Sequence, residues 1–159
     1  MIKKNQNASL IFHIIRFSVS LRKNGDSITQ KFGITAQQWL ILLLLSKDPN
    51  IIYLQENPQG KPMLAKELAT AMDVSRANIT NLLNLLLRKK LIRQIADLHD
   101  KRRKRLTLTK KGKIIVIKLE TERYKRNQRL FENYSKIEKK EFINFIKNSL
   151  AVIKYDLGG

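Results

Sequence analysis

Residues 97–112 read Asp97-Leu98-His99-Asp100-Lys101-Arg102-Arg103-Lys104-Arg105-Leu106-Thr107-Leu108-Thr109-Lys110-Lys111-Gly112. Five consecutive basic residues, Lys101 to Arg105, stand between two acids and a Leu-Thr-Leu-Thr tail. Strict alternation of apolar and hydroxyl residues is the pattern of a strand, and Thr109 followed by Lys-Lys-Gly reads as the start of a helix. With Leu91–Ile95 as the partner strand, the basic run falls at the tip of a two-stranded hairpin. A cationic hairpin tip that follows a helix has the shape to lie against a nucleic-acid backbone. Taken alone, the run is equally a solvated charged loop, or a mimic of a nuclear-localisation patch. The residues before it decide.

Leu64 to Met72 spaces Leu64, Leu68 and Met72 as the inward stripe of a short helix. Asp73-Val74-Ser75 is then a tight turn, and Ser75 is a good N-cap for a further helix from Arg76 to Lys89 or Lys90. Two helices joined by three residues and followed by a hairpin make a winged helix-turn-helix. On the second helix, Ile79, Leu82, Leu83 and Leu86 share one stripe. The opposite face shows Ala77, Asn81, Asn84 and Arg88, with Asn78 and Thr80 on its flanks. That face is short-chained, polar and free of acids. Carboxylates there would be repelled by phosphates, whereas Asn pairs with adenine and Arg with guanine in the major groove. An ordinary amphipathic surface helix is the plainer reading of the helix alone; the wing weighs against it.

Composition sets the partner class. The chain has 159 residues, enough for one domain with helical extensions, and a 43% apolar fraction suited to a real core. Its net charge is +19, beyond what solubility needs. Residues 88–113 hold twelve Lys or Arg against two Asp, so over half the excess charge sits in about a sixth of the chain. Such focusing points to a polyanion, either nucleic acid or an anionic membrane. The hairpin has no large apolar face, which argues against a membrane-surface role. The absence of cysteine removes thiol catalysis, disulfides and Cys-type zinc sites. The two histidines, His13 and His99, are isolated, so neither a metal nor another cofactor is expected. The longest apolar run, Trp39–Leu45, has seven residues, too short to span a bilayer. With no signal-peptide pattern either, the expected location is cytoplasmic.

Apolar spacing at Leu10, Ile14, Phe17 and Leu21 predicts a first helix, bent at Gly25-Asp26 and ended by Gly33. Thr35-Ala-Gln-Gln38 fits a capping box opening a second helix through Ser46. Residues 47–62 form a long connection holding all three prolines, with Ile51-Ile52-Tyr53-Leu54 as a candidate short strand. After the hairpin, a long helix is expected from Lys110 to Tyr134. Ser135-Lys-Ile-Glu138 is a second capping box, opening a last helix to Tyr155. The fold class is therefore mostly α with a small β-hairpin wing. Expected divisions are an N-terminal dimerisation helix (1–34), a winged lobe (35–113) and C-terminal dimerisation helices (114–159).

The matching residues are Leu64-Ala-Lys-Glu-Leu68-Ala, Val74-Ser-Arg-Ala-Asn-Ile79-Thr, Leu91-Ile92, Asp97-x-x-Asp100-x-Arg102 and Leu108-Thr109-x-x-Gly112. On these the chain resembles the MarR family of bacterial transcription regulators, and the helix order extends the likeness over nearly all of it. The resemblance implies that Arg102 is the wing arginine of the minor groove and that Asp100 holds the wing in shape. A guanidinium suits a narrow, negative minor groove, and an Asp two residues away can fix its fork. The expected DNA-binding set is Ser75, Arg76, Ala77, Asn78, Thr80, Asn81, Asn84 and Arg88 on the helix, with Asp100, Arg102, Arg103 and Lys104 on the wing. Lys104 and Arg105 are expected to face phosphates or solvent. Lys90 stands where the family commonly has Gly, Leu98 where it has Pro and Gln94 where it has Arg. Leu85 and Leu87 occupy positions usually charged, either packed on a neighbour or exposed.

The terminal regions 8–32 and 114–155 are rich in Ile, Leu and Phe yet lie outside the winged unit, so an isologous homodimer is expected. The family often binds small aromatic effectors between the dimer helices and the DNA-binding lobe. Phe17, Trp39, Leu43 and Tyr124 have the character to line such a cleft, but residues of this kind are more often core, and no effector site is assigned. The resulting expectation is a sequence-specific regulator of transcription, a repressor, on double-stranded DNA. The alternative is a low-specificity architectural nucleic-acid binder. No nucleophile triad, P-loop or Gly-rich phosphate motif supports an enzyme.

Overall fold

The computed structural model describes residues 5–58, 62–98 and 100–157. They divide at Thr121/Glu122 into two compact units. His99 lies outside the described residues.

In the first unit, Asn5 caps helix α1, Gln6–Thr29, by accepting from the amides of Asn7 and Ala8. The helix runs unbroken through Gly25-Asp26. A Cβ at Gly25 would make an ordinary 3.4 Å contact with the Ala36 side chain. A single 3-10 turn, Gln30–Phe32, leads to Gly33, whose φ of 64° turns the chain. Helix α2, Ala36–Ser46, opens on the expected capping box: Thr35 Oγ1 accepts from the Gln38 amide, and Gln38 Oε1 accepts from the Thr35 amide. Its Ile41, Leu42 and Leu44 are at most 1% exposed, so α2 is the central pillar of the core.

The apolar island in the long connection is not a strand. Ile52–Glu56 forms a short helix, α3, and the strand comes later, as β1, Met63–Leu64. Ile51, Tyr53 and Leu54 are partly buried against the core, a one-sided burial that a helical turn satisfies. Helices α4, Ala65–Met72, and α5, Arg76–Arg88, follow, with Leu68 and the stripe Ile79, Leu82, Leu83 and Leu86 all buried. Strands β2, Ile92–Ala96, and β3, Lys104–Leu108, pair antiparallel from Ile92↔Leu108 to Ala96↔Lys104. Strand β1 pairs with the other edge of β3, giving the order β1-β3-β2.

Helix α6, Lys110–Phe131, crosses the division between the units, and α7 spans Lys136–Leu157. The second capping box is present, with Ser135 and Glu138 exchanging backbone-to-side-chain bonds of 2.8 and 3.2 Å. Among the described side chains of α7 none is buried: Ile137, Ile143 and Val152 are each more than half exposed. Along α1, Ile11, Phe12 and Ile15 are likewise more than half exposed.

Candidate nucleic-acid interface

The turn between α4 and α5 is set by two local devices. Asp73 adopts φ 51° as the left-handed C-cap of α4, and its amide returns to the Ala69 and Thr70 carbonyls. Ser75 Oγ then accepts from the Asn78 amide at 3.2 Å, capping α5. This leaves Ser75, Arg76, Ala77, Thr80, Asn81, Asn84, Leu85 and Arg88 exposed along one side of α5, with Asn78 half-buried at its edge. Neither the Asn81 nor the Asn84 side chain hydrogen-bonds another described residue, so both side-chain amides are free for a ligand. The two leucines left open by the sequence part ways. Leu87 packs against the core, while Leu85 is 37% exposed on the outer face.

The wing is a tight loop held by its two acids. The Asp97 amide donates to the Arg103 carbonyl (3.0 Å) and the Arg103 amide to the Asp100 carbonyl (2.9 Å). Asp97 Oδ1 accepts from the Asp100 amide (3.2 Å), and Asp100 Oδ1 from the Arg102 amide (3.0 Å). Asp100 was expected to hold the Arg102 guanidinium. It holds the Arg102 backbone instead, because a carboxylate two residues upstream reaches the amide in an Asx turn. Its other oxygen pairs with Arg103 Nε at 3.1 Å. The Arg102 side chain is exposed and has no partner among the described residues. A tip whose backbone is fixed and whose guanidinium is free is prepared for an anionic groove.

Arg105 departs most from expectation. Its guanidinium is turned into the wing root, where Nε pairs with Asp97 Oδ2 and Nη1 donates to the Pro62 carbonyl at 2.6 Å. Glu67 Oε2 lies 4.0 Å from Nη1 and also accepts from the Leu64 amide at 2.6 Å. Only 13% of the Arg105 side chain and 4% of the Asp97 side chain are exposed. Charges this enclosed must be paired, so Arg105 serves the architecture and Lys104, which is exposed, is the strand cation left for solvent or phosphate. Sequence reasoning missed this network; its one signal was an acid and a base diagonal to each other across the hairpin, Arg105 facing Ile95 two residues before Asp97.

The wing is also fixed to the body. Thr109 donates its amide to the Leu91 carbonyl (3.0 Å) and its hydroxyl to the Lys90 carbonyl (2.7 Å), while Thr109 Oγ1 accepts from the Gly112 amide (3.1 Å). A Cβ at Gly112 would fall 2.1 Å from the Leu91 carbonyl oxygen. The Leu-Thr-x-x-Gly pattern is therefore the joint between β2, β3 and α6. Of the residues suggested for an effector cleft, Trp39 and Leu43 are core, Phe17 is at the edge of exposure and Tyr124 is exposed on α6. Among the described residues no group of His, Asp and Glu could hold a metal, and no helix is long and apolar enough to cross a membrane.

A short helix, a three-residue turn, a capped helix with an acid-free outer face and a basic hairpin together define a winged helix-turn-helix protein. Residues 32–103 match the MarR family. The chain is 30% identical over 104 residues to the transcriptional activatory protein BadR of Rhodopseudomonas palustris, covering 65% of this chain and 54% of BadR. It thus spans about half the length of that curated relative. S. aureus MepR, solved as a DNA complex, superposes with a TM-score of 0.73 at 25% identity, covering 91% of this chain and 95% of MepR. A MarR/EmrR family regulator from Acinetobacter sp. ADP1 shares the fold, with a TM-score of 0.77 at 20% identity over 96% of this chain and 99% of that one. Over residues 32–103 the chain is similar to the MarR family, and its fold is shared with the MarR-type regulators on which it superposes.

Proposed function

We propose that this chain is a sequence-specific transcription regulator, not an enzyme, that binds double-stranded DNA in the cytoplasm as a homodimer. In this reading Ser75, Arg76, Ala77, Asn78, Thr80, Asn81, Asn84 and Arg88 face the major groove or its phosphates. Arg102 enters the adjacent minor groove, Arg103 and Lys104 meet phosphates, and Asp100 shapes the loop that presents them. The observation that carries the reading is the pairing of two ready elements on one lobe: the free amides of Asn81 and Asn84, and the unpartnered guanidinium of Arg102. MepR, a structural relative, has been solved bound to DNA.

Dimerisation is supported by the exposed apolar side chains of α1 and, separately, of α7. Large apolar surface of this kind marks an association face. A two-fold dimer with one recognition helix per subunit calls for a pseudo-palindrome with half-sites about 10 bp apart. The bound dimer is proposed to repress by occluding the promoter and to be released by a small aromatic effector. Support for the effector is local: Trp39 Nε1 is buried and has no hydrogen-bond partner among the described residues. BadR is named as an activatory protein, which favours activation as a second reading of the sign.

Selection of bound fragments from random DNA, followed by footprinting and run-off transcription on the enriched site, tests the proposal. A protected two-fold site with reduced transcript is the expected result. Protection with increased transcript reverses the sign only. Uniform retention of all DNA would favour a charge-driven architectural binder, for which the net charge of +19 argues.

A further inference from the structure

The outer face of α5 has a chemistry of its own. Ala77, Thr80, Asn81, Asn84 and Leu85 are all exposed and fall within about 140° of the helix circumference. No acid lies on α5, and its two cations, Arg76 and Arg88, stand at its two ends. Between them the exposed polar heads are the neutral amides of Asn81 and Asn84 and the hydroxyl of Thr80, with the amide of Asn78 half-buried at the edge. The Thr80 hydroxyl donates to the Arg76 carbonyl at 2.8 Å. Its proton is committed to the helix, and its methyl is left for an apolar neighbour. Leu85 adds a fully apolar side chain, 37% exposed, one turn beyond Asn81.

Major-groove edges discriminate between these groups. Asn pairs in bidentate fashion with N6 and N7 of adenine, and Ala, Thr methyl or a larger apolar group packs on the C5 methyl of thymine. Guanine is read best by Arg or Lys, and cytosine N4 by Glu or Asp. The middle of α5 holds the first two kinds of reader and neither of the last two. We infer that α5 is a reader of A·T pairs: the core of each half-site is A·T, with Asn81 and Asn84 on adenines and Ala77, Thr80 and Leu85 against thymine methyls. The inference rests on the assignment of α5 to the major groove made above. An isolated exposed leucine is ordinary; three apolar groups interleaved with two free amides on one acid-free face are a matched set. The wing points the same way, since A·T tracts narrow the minor groove that Arg102 is proposed to enter.

The test uses the full-length chain and a random duplex library of equal base composition, which removes any bias from a genome. The expected outcome is a half-site whose central positions are A·T. In the selected site, deoxyuridine is then substituted for thymidine, deleting only the C5 methyl, and 7-deazaadenine for adenine, deleting N7. Wild-type affinity is expected to fall about fourfold for each contacted methyl and about tenfold for a contacted N7. Leu85→Ala should lose the uridine effect at one position and keep the others, and Asn81→Ala should lose one deaza effect. Both residues are exposed, and unchanged circular dichroism checks that the variants fold. An enriched two-fold site with G·C at the central positions, or one indifferent to uridine and deazaadenine, overturns the A·T assignment while leaving a sequence-specific regulator. A library that yields no enriched site overturns both.

Discussion

Two residues show how single positions carry this lobe. Gly112 is required by space, because the first turn of α6 passes so close to the residue before β2 that a Cβ would meet the Leu91 carbonyl oxygen. Gly112→Ala is expected to cost about 3 kcal/mol, read as a lower urea midpoint with an unchanged denaturation slope. Lys90 is the converse case. It follows α5 with φ 56°, a left-handed conformation that suits glycine. Lys90→Gly should stabilise the protein by about 1 kcal/mol, a rise in Tm of about 2–4 °C. An unchanged or lower Tm would mean that the lysine contributes contacts worth more than its backbone strain. Both positions were legible in the sequence as pattern, Gly112 in its motif and Lys90 as a departure. Their physical reasons were not, since a close approach between two strands and a helix is a fact of tertiary structure.

At the scale of the element, capping chemistry was the most readable signal. Thr35-x-x-Gln38, Ser75 and Ser135-x-x-Glu138 each begin a helix where the sequence places one. Connections and buried polar groups were least readable. The island at 51–54 became a helix because short apolar runs do not declare their period. Arg105 was read as surface charge because strand alternation locates a side chain on a face without telling what covers it. Here Asp97, Glu67 and the Pro62 carbonyl cover it. Arg105→Ala would remove from the wing root the guanidinium that pairs with buried Asp97 and lies beside Glu67. It is expected to cost about 3–5 kcal/mol and to loosen the hairpin, measured by thermal unfolding and by amide exchange at Arg93–Ile95. Full protection there would contradict the role given to this network. Helix α7 has a milder sensitivity. Backbone and side-chain hydrogen bonds from Ser135 hold the Glu138 carboxyl below the usual carboxylate range. A depressed folded-state value stabilises above the unfolded value, and the stabilisation is lost as pH falls through the folded one. The start of α7 should therefore fray on acidification, seen as amide exchange rising near Ser135, and Glu138→Gln should remove the pH dependence.

For the molecule as a whole, the exposed apolar faces of α1 and α7 ask for a partner. Sedimentation at micromolar concentration is expected to give a dimer, and deletion of 136–159 to give aggregated or unfolded chain. A well-folded monomer that still binds a two-fold site with full affinity would contradict the dimer. The central claim is that two elements recognise sequence while the rest of the charge supplies only attraction. It is tested most directly by titrating Asn81→Ala, Arg102→Ala and Lys104→Ala on the selected operator and on a scrambled duplex at two salt concentrations. Asn81→Ala should lose about 1–3 kcal/mol on the operator and little on the scrambled duplex. Arg102→Ala should weaken the operator and relax the preference for A·T flanks. Lys104→Ala should weaken both duplexes alike and lower the salt slope by about one per subunit. If all three variants lose affinity equally on both duplexes, binding is driven by charge alone and the sequence-specific reading is wrong.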